Sequence, residues 1–126
     1  YTMTIIDAIT RTDAQKPNGY SQSEKVRWLS ALDGIVKREV IDTHEGGEAV
    51  LFAGYNDETP LTTELLVPPP YDDVYIRYLE MQIDYSNGEY AKYNNSTDAY
   101  NLAFSAFEKY YNREHKPKSR GRRFLF

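Results

Sequence analysis

Residues 68–113, PPPYDDVYIRYLEMQIDYSNGEYAKYNNSTDAYNLAFSAFEKYYNR, hold nine of the twelve tyrosines of the chain and two of its five phenylalanines. Tyr75, Tyr78, Leu79, Gln82 and Ser86 recur at intervals of three and four, and so do Tyr100, Ala103, Phe104, Phe107 and Tyr111. That period sets each group on one face of a helix rather than on alternate faces of a strand. Pro70 suits a first helical turn, where its missing N–H is not needed. Asp72 and Asp73 then lie near the positive end of the helix dipole. Two places interrupt the pattern, Ser86-Asn87-Gly88 and Asn94-Asn95-Ser96. The second is preferred as the break: one glycine costs about 1 kcal/mol against alanine in a helix, and Glu89 to Tyr93 reads on helically. The second helix then starts at Ser96, with Asp98 in its first turn. The expectation is a helical hairpin with Tyr and Phe rings between its arms.

The stretches before it are helical at either end of a turn-rich join. Thr4-Ile5-Ile6-Asp7-Ala8-Ile9 reads as a short helix with Thr4 and Asp7 as a capping pair, closed by Lys16-Pro17-Asn18-Gly19. Ser21-Gln22-Ser23-Glu24 matches a capping box in front of Val26, Leu29, Leu32, Val36 and Val40, joined by Trp28 and Ile35. Trp28 reads as core rather than as a surface anchor. His44-Glu45-Gly46-Gly47-Glu48 breaks this helix. Ala49-Val50-Leu51-Phe52 suggests a strand or small hairpin, and three prolines at 68–70 favour an extended entry into the next helix. The fold class that follows is all-α: about four helices, a loop or short β insertion at 44–69 between the second and third, and an extended C-terminal arm. Residues 1–113 form the helical domain and 114–126 the arm.

Charge divides the chain at the same place. From Arg113 to Phe126 six basic residues face one glutamate, a net +5, whereas residues 1–112 hold nine basic and eighteen acidic groups, a net −9. An acidic body repels phosphates, which argues against broad nucleic-acid binding by the domain. The arm carries Lys118, Arg120, Arg122 and Arg123, then Phe124, Leu125 and Phe126. Charges that steer and rings that fill a pocket are the composition of a docking peptide. Alone in water such a segment has nothing to pack with, so it is expected to be disordered or held by a neighbour.

Catalytic features are thin. His44 and His115 sit in no metal-binding motif, and no phosphate loop is present. His44 with Glu45 and Glu48 reads as a solvated loop rather than a cation site, and Glu80 with Asp84 as a solvated acidic face. A di-metal carboxylate bundle needs Glu-x-x-His pairs, which are missing. The chain has no cysteine, which excludes disulfides and thiol chemistry. No apolar run approaches the roughly 18 residues of a membrane span. Thr4 to Ala8 is too short for a secretory signal and lacks a basic stretch before it, and Met3 reads as the natural start. No catalytic residue, metal or cofactor is assigned. The tyrosines are read as core packing or a helix-to-helix interface rather than as a base-stacking face. Tyr71, Tyr75, Tyr78, Tyr90 and Tyr93 are the rings expected between subunits.

The succession of TIIDAI, YSQSEKVRWLSALDGIVKREVIDTHEGGE, ELLVPPPYDDVYIRYLEMQIDYSNGEYAKYNNS and AYNLAFSAFEKYYNREHKP resembles head-tail connector (adaptor) proteins of tailed bacteriophages and prophages of Gram-positive bacteria. The resemblance runs from Met3 to about Pro117. Its strongest pieces are Asp42 to Gly47, Leu66 to Asp72 and Asn87 to Tyr90. It implies a helical structural protein without catalysis, assembled in the host cytoplasm and placed in the virion neck. It implies a homo-oligomeric, dodecameric ring beneath the portal protein, docked by C-terminal arms, with a downstream neck or tail protein on the other face. Genome DNA would pass close by without specific binding. Alternatives are another neck or tail-completion protein, or a nucleic-acid-binding protein that uses the basic tail.

Overall fold

Side-chain caps start the first two helices where the sequence places them. In the computed structural model, which describes residues 2–118, helix α1 is Ile5–Gln15 and helix α2 is Gln22–Ile35. The Thr4 hydroxyl accepts the Asp7 N–H at 3.3 Å, and the Asp7 carboxylate accepts the Thr4 N–H at 3.1 Å. Ser21 accepts the Glu24 N–H at 3.2 Å. Such caps are worth about 1 kcal/mol each, because they satisfy donors that the helix itself leaves unpaired. Helix α2 continues through a π-helical segment, Val36–Ile41, and a single 3-10 turn follows at Gly47–Ala49. Gly47 is required there, since a Cβ would lie 2.2 Å from the Ile41 carbonyl oxygen.

Helices α3, Asp73–Ser86, and α4, Tyr90–Glu114, form the aromatic hairpin. Its turn is at Asn87-Gly88-Glu89, not at Asn94-Asn95-Ser96 as the sequence suggested. Gly88 takes φ 76°, its N–H donates to the Tyr85 carbonyl, and the Glu89 N–H donates to the Asp84 carbonyl. This is the paired closure that a left-handed residue permits at a helix end, so glycine here stops α3 instead of being tolerated within it. Ser96 lies inside α4, and its hydroxyl donates to buried Asp84. Pro70 is likewise not in a first turn: Pro69-Pro70 is cis, and α3 starts three residues later.

The all-α expectation holds: no strand occurs among the described residues. Residues 49–52 are not a strand, and Leu51 is exposed. The insertion is instead tied to α1 through backbone bonds from Ile5 and Ile6 N–H to the Thr63 and Leu61 carbonyls and from Leu65 N–H to the Met3 carbonyl. Helix α3 is the central element, packed on α1, α2 and α4. Ile5, Leu29, Leu32, Val36, Val67, Val74, Leu79, Ile83 and Phe107 build the core with Tyr75. Full burial of one such aliphatic side chain is worth about 1.5–3 kcal/mol. Trp28 packs against this core, as expected, whereas Ile35 turns outward. Glu80 and Asp84 are not a solvated acidic face either. Asp84 is buried and accepts from the Lys16 ammonium at 2.7 Å, while Glu80 pairs with Arg77 at 3.2 Å.

Gly88→Ala is expected to lower the unfolding free energy by about 1–2 kcal/mol, the cost of a left-handed residue with a Cβ, and Gly88→Asn by less. Urea titration of the three chains measures it. Equal stability of the alanine variant would contradict the turn assigned here.

Candidate interaction surfaces

Helix α2 aligns Val26, Leu29, Asp33, Val36 and Val40 at intervals of three and four, and Asp33 is the one charged member of that buried stripe. Its carboxylate accepts the Tyr55 hydroxyl at 2.6 Å, the Tyr75 hydroxyl at 2.6 Å and the Leu66 N–H at 3.2 Å. The Tyr75 hydroxyl accepts the Val67 N–H at 2.7 Å. Three of these bonds fix the insertion to α2 and α3, and the fourth, from Tyr75 to Asp33, joins the two helices. Burial pushes the Asp33 carboxyl up to about 6, against the opposing pull of its three hydrogen bonds. Burial, with Asp33 beside them, holds the Tyr55 and Tyr75 hydroxyls well above the usual tyrosine range, so both remain donors. A carboxyl raised in this way is often catalytic. Asp33 has no solvent exposure, so no substrate reaches it and its work is structural.

Tyr75 and Tyr78, expected at a subunit interface, are buried inside the chain, Tyr75 on Asp33 and Tyr78 against Tyr100 at 5.2 Å. From Tyr100 the rings continue down α4 through Phe104, Phe107 and Tyr111, with centroids 5.8–6.3 Å apart. Tyr71 stacks on Tyr110 at 4.7 Å and is half-buried. The hairpin tip is different. Around the Gly88 turn, Tyr85 meets Tyr90 at 6.1 Å and Tyr93 at 5.3 Å, and Tyr85 and Tyr90 are 57% and 62% exposed. Of the five expected rings, Tyr71, Tyr90 and Tyr93 thus reach the surface, joined by Tyr85. Aromatic pairs of this kind are enriched where one protein meets another.

A polar cleft lies between the π-helical segment and α4, lined by Glu39, Val40, Thr43, His44, Ser105, Glu108, Lys109 and Asn112. His44 is buried in it and is not a solvated loop residue. Its Nδ1 meets the Val40 carbonyl at 2.5 Å, its Nε2 meets the Asn112 side-chain oxygen at 2.6 Å, and Tyr111 stands edge-on at 4.8 Å. With both ring nitrogens engaged, His44 has none left for a metal. Glu48 is turned to the Lys118 ammonium, 3.8 Å away. Among the described residues no group of three or more His, Asp or Glu side chains is arranged to hold an ion.

The arm begins on its own body. The Glu45 N–H donates to the Lys116 carbonyl at 2.8 Å, and the Lys118 N–H donates to the Thr43 carbonyl at 2.9 Å, flanking an antiparallel bridge between His44 and Pro117. Of the expected docking residues, Lys118 is therefore anchored in cis. Arg120, Arg122, Arg123, Phe124, Leu125 and Phe126 lie outside the described residues. No described helix is long and apolar enough to cross a membrane. Comparison with known proteins returns no matching family model, curated protein or solved structure.

The sign of the Asp33 shift sets a pH dependence. A folded value near 6 against 3.8 in the open chain favours folding as pH falls through 6, and that gain is lost as pH rises. Measured against Asp33→Asn, the native chain should gain roughly 2–3 kcal/mol between about pH 7.5 and pH 4. Asp33→Ala, which strands three donors, should lose about 3 kcal/mol or more at acid pH. A native chain that instead gains stability toward alkaline pH contradicts the assignment.

Proposed function

We propose that this chain is a structural assembly protein without catalysis, a head-tail connector of the tailed-bacteriophage kind. The observation that carries the reading is the division of charge. A helical body of net −9 is joined to a segment of net +5 that closes on Phe124-Leu125-Phe126. An anionic wall does not retain passing DNA. A cationic peptide with apolar rings suits a protein cavity, where steering by charge and burial of rings act together. Further support comes from the hairpin tip, where exposed Tyr85 and Tyr90 stand with half-buried Tyr93, a surface of the composition that neighbouring subunits bury. In this reading copies of the chain form a dodecameric ring. The portal protein receives the arms through residues after Lys118, and a neck or tail protein covers the opposite face.

Mixing the purified chain with the portal protein of the same phage tests the reading. A complex should form and should be lost when residues 119–126 are deleted. Binding that survives the deletion, or no binding at all, contradicts it. Steep salt-dependent DNA binding that the same deletion removes would favour a nucleic-acid-binding arm instead.

A further inference from the structure

Residues 50–53 have the properties of a β-strand but lack a partner strand. Val50 has extended backbone, φ −92° and ψ 111°. Burial then alternates: Val50, Phe52 and Gly54 are half-buried, whereas Ala49, Leu51 and Ala53 are exposed, Leu51 to 88%. That is the period of a strand with one covered face. Phe52 lies over Gly34 of α2, its Cε2 3.9 Å from where a Cβ would stand, and meets Tyr55 edge-on at 5.1 Å. The run is pinned at both ends, by the Val50 N–H on the Gly47 carbonyl at 3.0 Å and by the Tyr55 N–H on the Ser30 hydroxyl at 3.0 Å. Between those bonds the N–H groups of Leu51, Phe52, Ala53 and Gly54 and the carbonyls of Val50 to Gly54 meet no partner among the described residues. Natural sheet edges are blunted by charge, by proline or by a covering element. Ala49 to Tyr55 contain neither charge nor proline.

We propose that this run receives an extended segment of a partner protein by strand addition, and that the partner's segment carries Lys or Arg at both ends. The backbone supplies the bonding, since a strand laid on one edge takes the N–H and C=O of alternate residues. Charge selects the occupant. From Glu45 to Glu58 every charged residue is acidic: Glu45 and Glu48 precede the run, Asp57 and Glu58 follow it, and all four are exposed. Lys118 stands 3.8 Å from Glu48, and Asp57 accepts the neutral Ser23 hydroxyl at 2.6 Å, which leaves both flanks anionic. A second copy paired here, parallel or antiparallel, would set acidic flanks against acidic flanks, and like charges placed opposite each other are unfavourable. A strand with cationic flanks meets attraction at both ends instead. Exposed Leu51 then gives its outward side chains an apolar neighbour.

Amide hydrogen exchange of the full chain, read residue by residue by NMR, tests this with a synthetic peptide that alternates valine and threonine between paired lysines. Leu51 to Gly54 should exchange at unprotected rates in the free chain. Saturating peptide should slow alternate amides, either Leu51 and Ala53 or Phe52 and Gly54, about tenfold or more, the signature of pairing on one edge. The same peptide with glutamates in place of the lysines should bind about tenfold more weakly. Glu45→Gln/Glu58→Gln, at two exposed positions, should weaken the lysine peptide about threefold or more. Protection of Leu51 to Gly54 already present in the free chain overturns the proposal. So does protection that rises with protein concentration alone, which would assign the run to a second copy. Binding without alternate protection marks plain attraction to the acidic body and overturns it, as does equal affinity for the two peptides. No protection at about 1 mM lysine peptide has the same force. No portal protein enters this assay, so its failure leaves the connector reading standing.

Discussion

One buried carboxylate decides how the insertion sits. Apart from one 3-10 turn the segment between α2 and α3 forms no regular element, and besides its backbone bonds to the start of α1 it is held by Asp33. Asp33 receives Tyr55, Leu66 and, through Tyr75, Val67, so residues far apart in sequence converge on one atom pair. The arrangement is dry and fully donor-satisfied, which is the condition under which a polar group in a core specifies structure instead of undermining it. It also fixes the entry of α3. Tyr75 lies in the first turn of that helix, and α3 supports the other three helices.

What was legible in the sequence was local. The starts of α1 and α2 and the stripe of Val26, Leu29, Leu32, Val36 and Val40 follow from caps and period alone. The turn of the hairpin was not, because a glycine's small cost inside a helix and its advantage at a helix end look alike until the Glu89 to Asp84 bond closes. Asp33 left a signal that was open to reading, a charged residue four positions after Leu29 and three before Val36 on an otherwise apolar face. His44 left a similar one, falling four residues after Val40, which itself follows Val36 by four. A charged or loop residue is solvated more often than buried, so neither position alone separates the two outcomes. The insertion's course depends on long-range bonds and had no local signature.

The aromatic hairpin divides its rings between two tasks. Tyr75, Tyr78, Phe107 and Tyr111 are buried, with Tyr78 against Tyr100 across the hairpin, Tyr75 on Asp33 of α2 and Tyr111 against His44. Tyr85 and Tyr90 lie beside the left-handed turn and face outward, with half-buried Tyr93 against Tyr85. The same residue type thus lies in the core and at the surface of one hairpin. The arm adds a second contact element at the far end of α4, where the π-helical segment, His44 and Lys118 meet.

Imaging of intact particles at side-chain resolution tests that account most directly. It predicts this chain as a ring between portal and tail, with Phe124 to Phe126 buried in a portal cavity and the acidic body facing the channel. A particle in which the chain lies elsewhere, or in which Arg120 to Arg123 run along nucleic acid, would contradict it.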